Sequence, residues 1–153
     1  MPMQVVITVG GLGTRFSAQG VEVPKPLASV GNRLALNYLI QMFPQDWRLI
    51  FVVGEHWKDS SIAQTILNQR SDSEIIYTPY SPRGPIDTVL AAQQLLRAEE
   101  PVCVSYSDYS IVWNASDFAL TMLLSSADAG IVSYKGFHPT YLGPNTYCHL
   151  RVD

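Results

Sequence analysis

Gln4–Leu27, QVVITVGGLGTRFSAQGVEVPKPL, decides how the rest of the chain is read. Gln4–Val9 is an apolar run of strand length that leads straight into Gly10-Gly11-Leu12-Gly13-Thr14-Arg15. Glycines at a strand end let the backbone approach a phosphate or a base edge that a Cβ would hold off. Such a loop turns its N–H groups toward an anion, and Arg15 adds a planar cation whose five donors suit phosphate oxygens. Further on, Lys25 stands between Pro24 and Pro26, which stiffen its backbone and aim its ammonium. The order of strand, glycine turn and two cations reads as a clamp for a nucleoside triphosphate.

Two other phosphate loops fit less well. A dinucleotide fingerprint needs a third glycine or alanine where Phe16 stands, and no ribose-binding acid follows at the right distance. A P-loop needs Lys-Ser or Lys-Thr after its last glycine, where this chain has Thr14-Arg15. A bare glycine turn with solvated cations is the plain alternative, but it leaves the joining of the two segments unexplained.

Outward from this stretch, apolar runs alternate with helix-like segments. Strands are expected at Gln4–Val9, Arg48–Val53, Glu74–Thr78, Val102–Tyr106 and Gly130–Ser133. Helices are expected at Leu34–Phe43, Asp59–Gln69, Asp87–Glu99 and Ser116–Ser126, with Asp59 and Ser116 as N-caps and Pro44 as a stop. The alternation predicts an α/β fold, a mostly parallel, Rossmann-like three-layer sheet with helices on both faces. Ligands collect at the carboxyl ends of such strands. That rule brings together the segments after Val9, Thr78 and Tyr106. The last of these carries Asp108, a carboxylate able to hold Mg²⁺ together with substrate phosphates.

With 153 residues, 47% of them hydrophobic, the chain can build one domain with a real core. Its net charge of −3 argues against general binding to nucleic acid or acidic membranes. No apolar run reaches the length of a membrane span, and the N-terminus lacks a signal-peptide pattern, so a cytoplasmic protein is expected. Cys103 and Cys148 form no CxxC pair, and Cys103 reads as a small buried hydrophobe. His56, His138 and His149 show no ligand spacing and read as surface or packing residues.

Gly10-Gly11-Leu12-Gly13-Thr14-Arg15-Phe16, followed by Pro24-Lys25-Pro26-Leu27, resembles the opening motif of the sugar-phosphate nucleotidyltransferases, the nucleoside-diphosphate-sugar pyrophosphorylases. The resemblance implies a glycosyltransferase-A-like nucleotidyltransferase fold in a single domain over 1–153, shortened at its C-terminal side. It implies an NTP and a phosphorylated small-molecule acceptor, most simply a sugar 1-phosphate, as partners, with pyrophosphate released. It implies Arg15, Lys25 and Asp108 as catalytic residues, Asp108 also as the Mg²⁺ ligand. Gly10, Gly11, Leu12, Gly13, Thr14, Arg15 and Lys25 would bind the nucleotide. Tyr77–Val89, YTPYSPRGPIDTV, resembles the family's base-recognising segment, with Gly84 under the base and Asp87 at the start of the next helix. Pro85-Ile86 replaces the family's Thr-Ala, Ser107 replaces a glycine, and Gly136–Asn145 falls where the acceptor loop would begin. The base, the acceptor and homo-oligomer formation stay open. Two competing readings also stay open: a nucleotide-sensing domain without catalysis, and a cytidylyltransferase for a non-sugar phosphate.

Overall fold

The computed structural model describes residues 2–14, 18, 20 and 23–133. Its strands are β1 (Gln4–Val9), the short β2 (Ser29–Val30) and β3 (Arg33–Leu34), then β4 (Arg48–Gly54), β5 (Glu74–Thr78) and β6 (Val102–Tyr106). Its helices are α1 (Ala35–Gln41), α2 (Ile62–Gln69), α3 (Pro85–Leu90) and α4 (Ala115–Ser125). The main sheet runs β5-β4-β1-β6, and every pairing in it is parallel. β1 and β4 occupy the centre and are buried almost throughout, which is why both read as continuous apolar runs.

Alternation along the strands divides the core between two faces. Val5, Ile7, Leu49, Phe51 and Val53 pack with Leu36, Leu39 and Ile40 of α1 and with Ile62 and Ile66 of α2. Val6, Ile50 and Val52 face the opposite layer, where they meet Ala92, Val89, Leu95 and Leu96. Helical layers on both faces of a parallel sheet are the architecture expected from the sequence.

Several local expectations are corrected. The helix expected over Asp87–Glu99 is instead the six-residue α3, followed by one 3₁₀ turn at Gln93–Leu95. Gln4 supplies the reason, because it is fully buried and its amide needs partners. Its Nε2 donates to the carbonyls of Arg97 and Glu100 at 3.0 and 3.2 Å, while its Oε1 accepts from the Arg97 N–H at 2.8 Å. Arg48 adds a bond to the Leu95 carbonyl at 2.7 Å. Two of these groups, the Arg97 N–H and the Leu95 carbonyl, are ones that a helix running to Glu99 would use, and the chain turns extended at Leu96.

The helix expected from Asp59 begins at Ile62. Asn114, not Ser116, caps α4, its Oδ1 accepting the Asp117 N–H at 3.1 Å. Asn114→Ala is therefore expected to cost about 1 kcal/mol, read as a lower urea midpoint with an unchanged slope. The β2-β3 hairpin was not foreseen, although Gly31-Asn32 is a two-residue turn signal and Gly31 supplies the positive φ, +64°.

Gly130–Ser133 is not a strand, and Ile131 and Val132 stand exposed. β6 is thus an edge strand among the described residues. Val102, Val104 and Tyr106 on one of its faces are exposed, contrary to the expectation of a strand buried on both sides. The second helical layer covers β4 and β1 but does not extend over β6.

Candidate active site

The strand order places a topological switch point between β1 and β6, because the connection from β1 leads to one side of the sheet and β6 joins on the other. Open parallel sheets bind ligands in the crevice outside the strand ends at such a point. A cleft of about 280 Å³ lies there. The ends of β1 and β6 supply Thr8, Gly10, Gly11, Gly13, Tyr106, Ser107 and Asp108, and the segment after β5 supplies Tyr80, Ser81 and Gly84. The three segments that the carboxyl-end rule singled out do meet.

Each glycine has its own reason. A Cβ on Gly10 would lie 3.0 Å from Thr88 Oγ1, so Gly10 lets α3 approach the end of β1 closely. Gly13 has φ +65°, which only glycine adopts at little cost. Gly84 precedes α3 with φ +100° and ψ −166°, a region essentially reserved for glycine. Pro85 then occupies the first turn of α3, where its missing N–H is not needed.

Lys25 opens a 3₁₀ turn, Lys25–Leu27, closed by bonds from Leu27 N–H to the Pro24 carbonyl at 2.8 Å and from Ala28 N–H to the Lys25 carbonyl at 3.0 Å. Pro26 is buried and Leu27 packs on the main core, which anchors the turn. From this base Lys25 Nζ reaches Asp108 Oδ2 at 3.0 Å, joining positions 83 residues apart in sequence. The two proposed charges of the site are therefore direct partners, which sequence spacing could not reveal.

Leu12, Thr14 and Asp87 do not line the cleft. Asp87 lies in the first turn of α3, where its Oδ2 accepts the Ser81 hydroxyl and stands 3.6 Å from Arg83 Nε. It ties down the 81–84 loop, which itself borders the cleft. Arg15, Gly136–Asn145, His138, Cys148 and His149 lie outside the described residues. Cys103 is partly buried against the main core, and burial pushes its thiol pKa up, away from nucleophilic use.

Sequence reasoning missed Trp57 as a lining residue, and it quoted Pro26 and Thr88 within its two motifs without giving either a place in the cleft. Trp57 follows β4, so the carboxyl-end rule extended to that strand was the one available signal. No group of three or more His, Cys, Asp or Glu able to hold a metal occurs among the described residues, and Asp108 is the acidic residue lining the cleft. No helix among the described residues is long and apolar enough to cross a membrane.

No family model matches the chain. It is 25% identical over 147 residues to a mannose-1-phosphate guanyltransferase from Debaryomyces hansenii, covering 92% of this chain and 40% of that protein. Among solved structures it is similar to a UTP-bound UGPase from Acinetobacter baumannii, with TM-score 0.63 and 22% identity over 83% of this chain and 54% of that one. A UDP-glucose pyrophosphorylase complexed with UDP-glucose matches with TM-score 0.59 and 14% identity over 82% of this chain and 55% of that one. These structural likenesses are likenesses of fold. The chain spans about 40% of the length of the curated relative and about half of the solved ones.

Proposed function

We propose, from a sequence and a fold similar to those of sugar-phosphate nucleotidyltransferases, that this chain carries the nucleotide-binding and catalytic centre of such an enzyme. It would transfer a nucleotidyl group from an NTP to a phosphorylated acceptor, most simply a sugar 1-phosphate, and release pyrophosphate. One observation carries this reading: Lys25 and Asp108 meet at 3.0 Å beside a glycine loop, in the cleft at the switch point of the sheet. Precursor supply for cell-surface polysaccharide is the role this chemistry would serve.

In the reaction an acceptor phosphate oxygen attacks the α-phosphorus. The bond from that phosphorus to the bridging oxygen breaks, and its electrons leave with pyrophosphate. The acceptor is already ionised near neutral pH, so no general base is required. The chain would then contribute position and charge. The backbone of Gly10–Gly13 would receive the phosphates, with Arg15 on the leaving pyrophosphate. Lys25 would hold the α-phosphate and the acceptor phosphate together. The 80–84 loop and Gly84 would border the base.

A single carboxylate beside a phosphate site suits Mg²⁺, which keeps several waters and uses one or two carboxylates plus substrate phosphates. Asp108 would hold that ion, which would supply neutralising charge at the phosphates.

The test is pyrophosphate release with Mg²⁺, four NTPs and a panel of sugar 1-phosphates and amino-alcohol phosphates, run on this chain and on any longer product of the same gene. Turnover with one NTP and a sugar 1-phosphate is the expected result. Turnover only with an amino-alcohol phosphate would move the acceptor assignment. Nucleotide binding without turnover by either product would replace the transferase with a sensing domain.

A further inference from the structure

Trp57 lines the cleft, yet the transfer chemistry leaves it without a task. It ends a single 3₁₀ turn, Glu55–Trp57, directly after β4. Its indole Nε1–H donates to the Gly11 carbonyl oxygen at 3.3 Å, and His56 Nε2 lies 3.3 Å from the same oxygen. The two rings pack together with centroids 5.0 Å apart and planes tilted by 53°. Gly54 makes room for this, since a Cβ there would stand 2.3 Å from His56 Cε1. The Trp57 ring also borders the loop further on, its Cζ2 lying 4.0 Å from where a Cβ on Gly13 would be.

A carbonyl oxygen has two lone pairs, so Gly11 can accept both rings. His56 donates in the forms that carry a proton on Nε2. The described peptide bonds are all trans. In a trans peptide the N–H points opposite to the C=O, so fixing the Gly11 carbonyl also fixes the direction of the Leu12 N–H. The loop needs such an anchor. Glycine loses more backbone freedom on ordering than any other residue, and Gly11 has no neighbouring atoms within 4 Å of a would-be Cβ to confine it. Donors stabilise charge best when they are already oriented before the charge arrives.

We infer that Trp57 and His56 are positioning residues that hold the Gly11–Gly13 loop in the form that receives a nucleotide's phosphates. The inference rests on the nucleotide reading above. Neither ring enters the chemistry; both act through the Gly11 carbonyl. Both contacts, at 3.3 Å, are slightly longer than the usual N–H···O range, and each alone is a modest neutral contact.

The experiment uses Trp57→Phe, which keeps the ring and loses the N–H, His56→Asn, and the double variant. Titration calorimetry with ATP, GTP, CTP and UTP in Mg²⁺ would follow affinity, and amide hydrogen exchange without ligand would follow Leu12 and Gly13. The double variant is expected to bind the preferred NTP about 10-fold more weakly and to exchange faster at Leu12 and Gly13. Each single variant, retaining one donor, is expected to lose about 2- to 5-fold. In turnover the KM for the NTP should rise while the KM for the acceptor stays near wild type, a split that general loosening of the fold would not give. A wild-type chain that binds an NTP and a double variant that binds it equally well would overturn this inference alone. A wild-type chain that binds no NTP would overturn the nucleotide reading and this inference with it.

Discussion

Lys25→Ala is expected to slow pyrophosphate release by about 10²-fold or more, the usual cost of removing one preorganised charge from a transition state. The orientation of Lys25 is set before any ligand arrives. Two prolines flank it, Pro26 is buried, and the turn is closed by the Leu27 and Ala28 N–H groups. A rate loss of that size corresponds to about 2.7 kcal/mol. Folding should lose far less. The Lys25–Asp108 pair is 38% and 47% exposed on its two side chains, and pairs so open to water contribute at most about 1 kcal/mol. The two readouts therefore separate a substrate-binding lysine from a structural one. A collapsed rate with a melting temperature within a few degrees of wild type supports the assignment. An unchanged rate removes Lys25 from the site.

Asp108→Asn keeps the shape of the side chain and removes its charge, and it is expected to cost turnover about 10²-fold or more as well. Its distinguishing mark is the Mg²⁺ titration. If Asp108 holds the ion, the variant should need a higher Mg²⁺ concentration for half-maximal rate at fixed NTP. If Asp108 serves only to restrain Lys25, the rate should fall with the Mg²⁺ dependence unchanged. The double variant Lys25→Ala with Asp108→Asn adds a further check. Directly bonded groups couple, so its loss should be smaller than the product of the two single losses. Full multiplication of the two effects would mean that the ammonium and the carboxylate act independently.

The glycine loop, the Pro-Lys-Pro turn and the four strands of the main sheet were legible because each is written in adjacent residues. Gln4–Val9, Glu74–Thr78 and Val102–Tyr106 have the bounds read from their apolar runs, and β4 is one residue longer than its run. The helix expected over Asp87–Glu99 was misread because the buried amide of Gln4, 93 positions before Arg97, takes the Arg97 N–H near its far end. Periodicity carries no trace of such competition. Trp57 escaped for a similar reason: its indole borders a loop 46 positions away, and its place just after β4 was the one local mark it carried.

The sequence alone thus determined the type of loop, the residue classes able to bind phosphate and the alternation that makes a parallel sheet, since these follow from local sterics and short-range patterning. Tertiary structure decided which of those residues meet. It put Lys25 against Asp108, moved Asp87 onto the 81–84 loop, and set two rings on the Gly11 carbonyl. The physical reason is the strand order β5-β4-β1-β6, which folds distant strand ends into one crevice and is fixed by burial on both faces of the sheet.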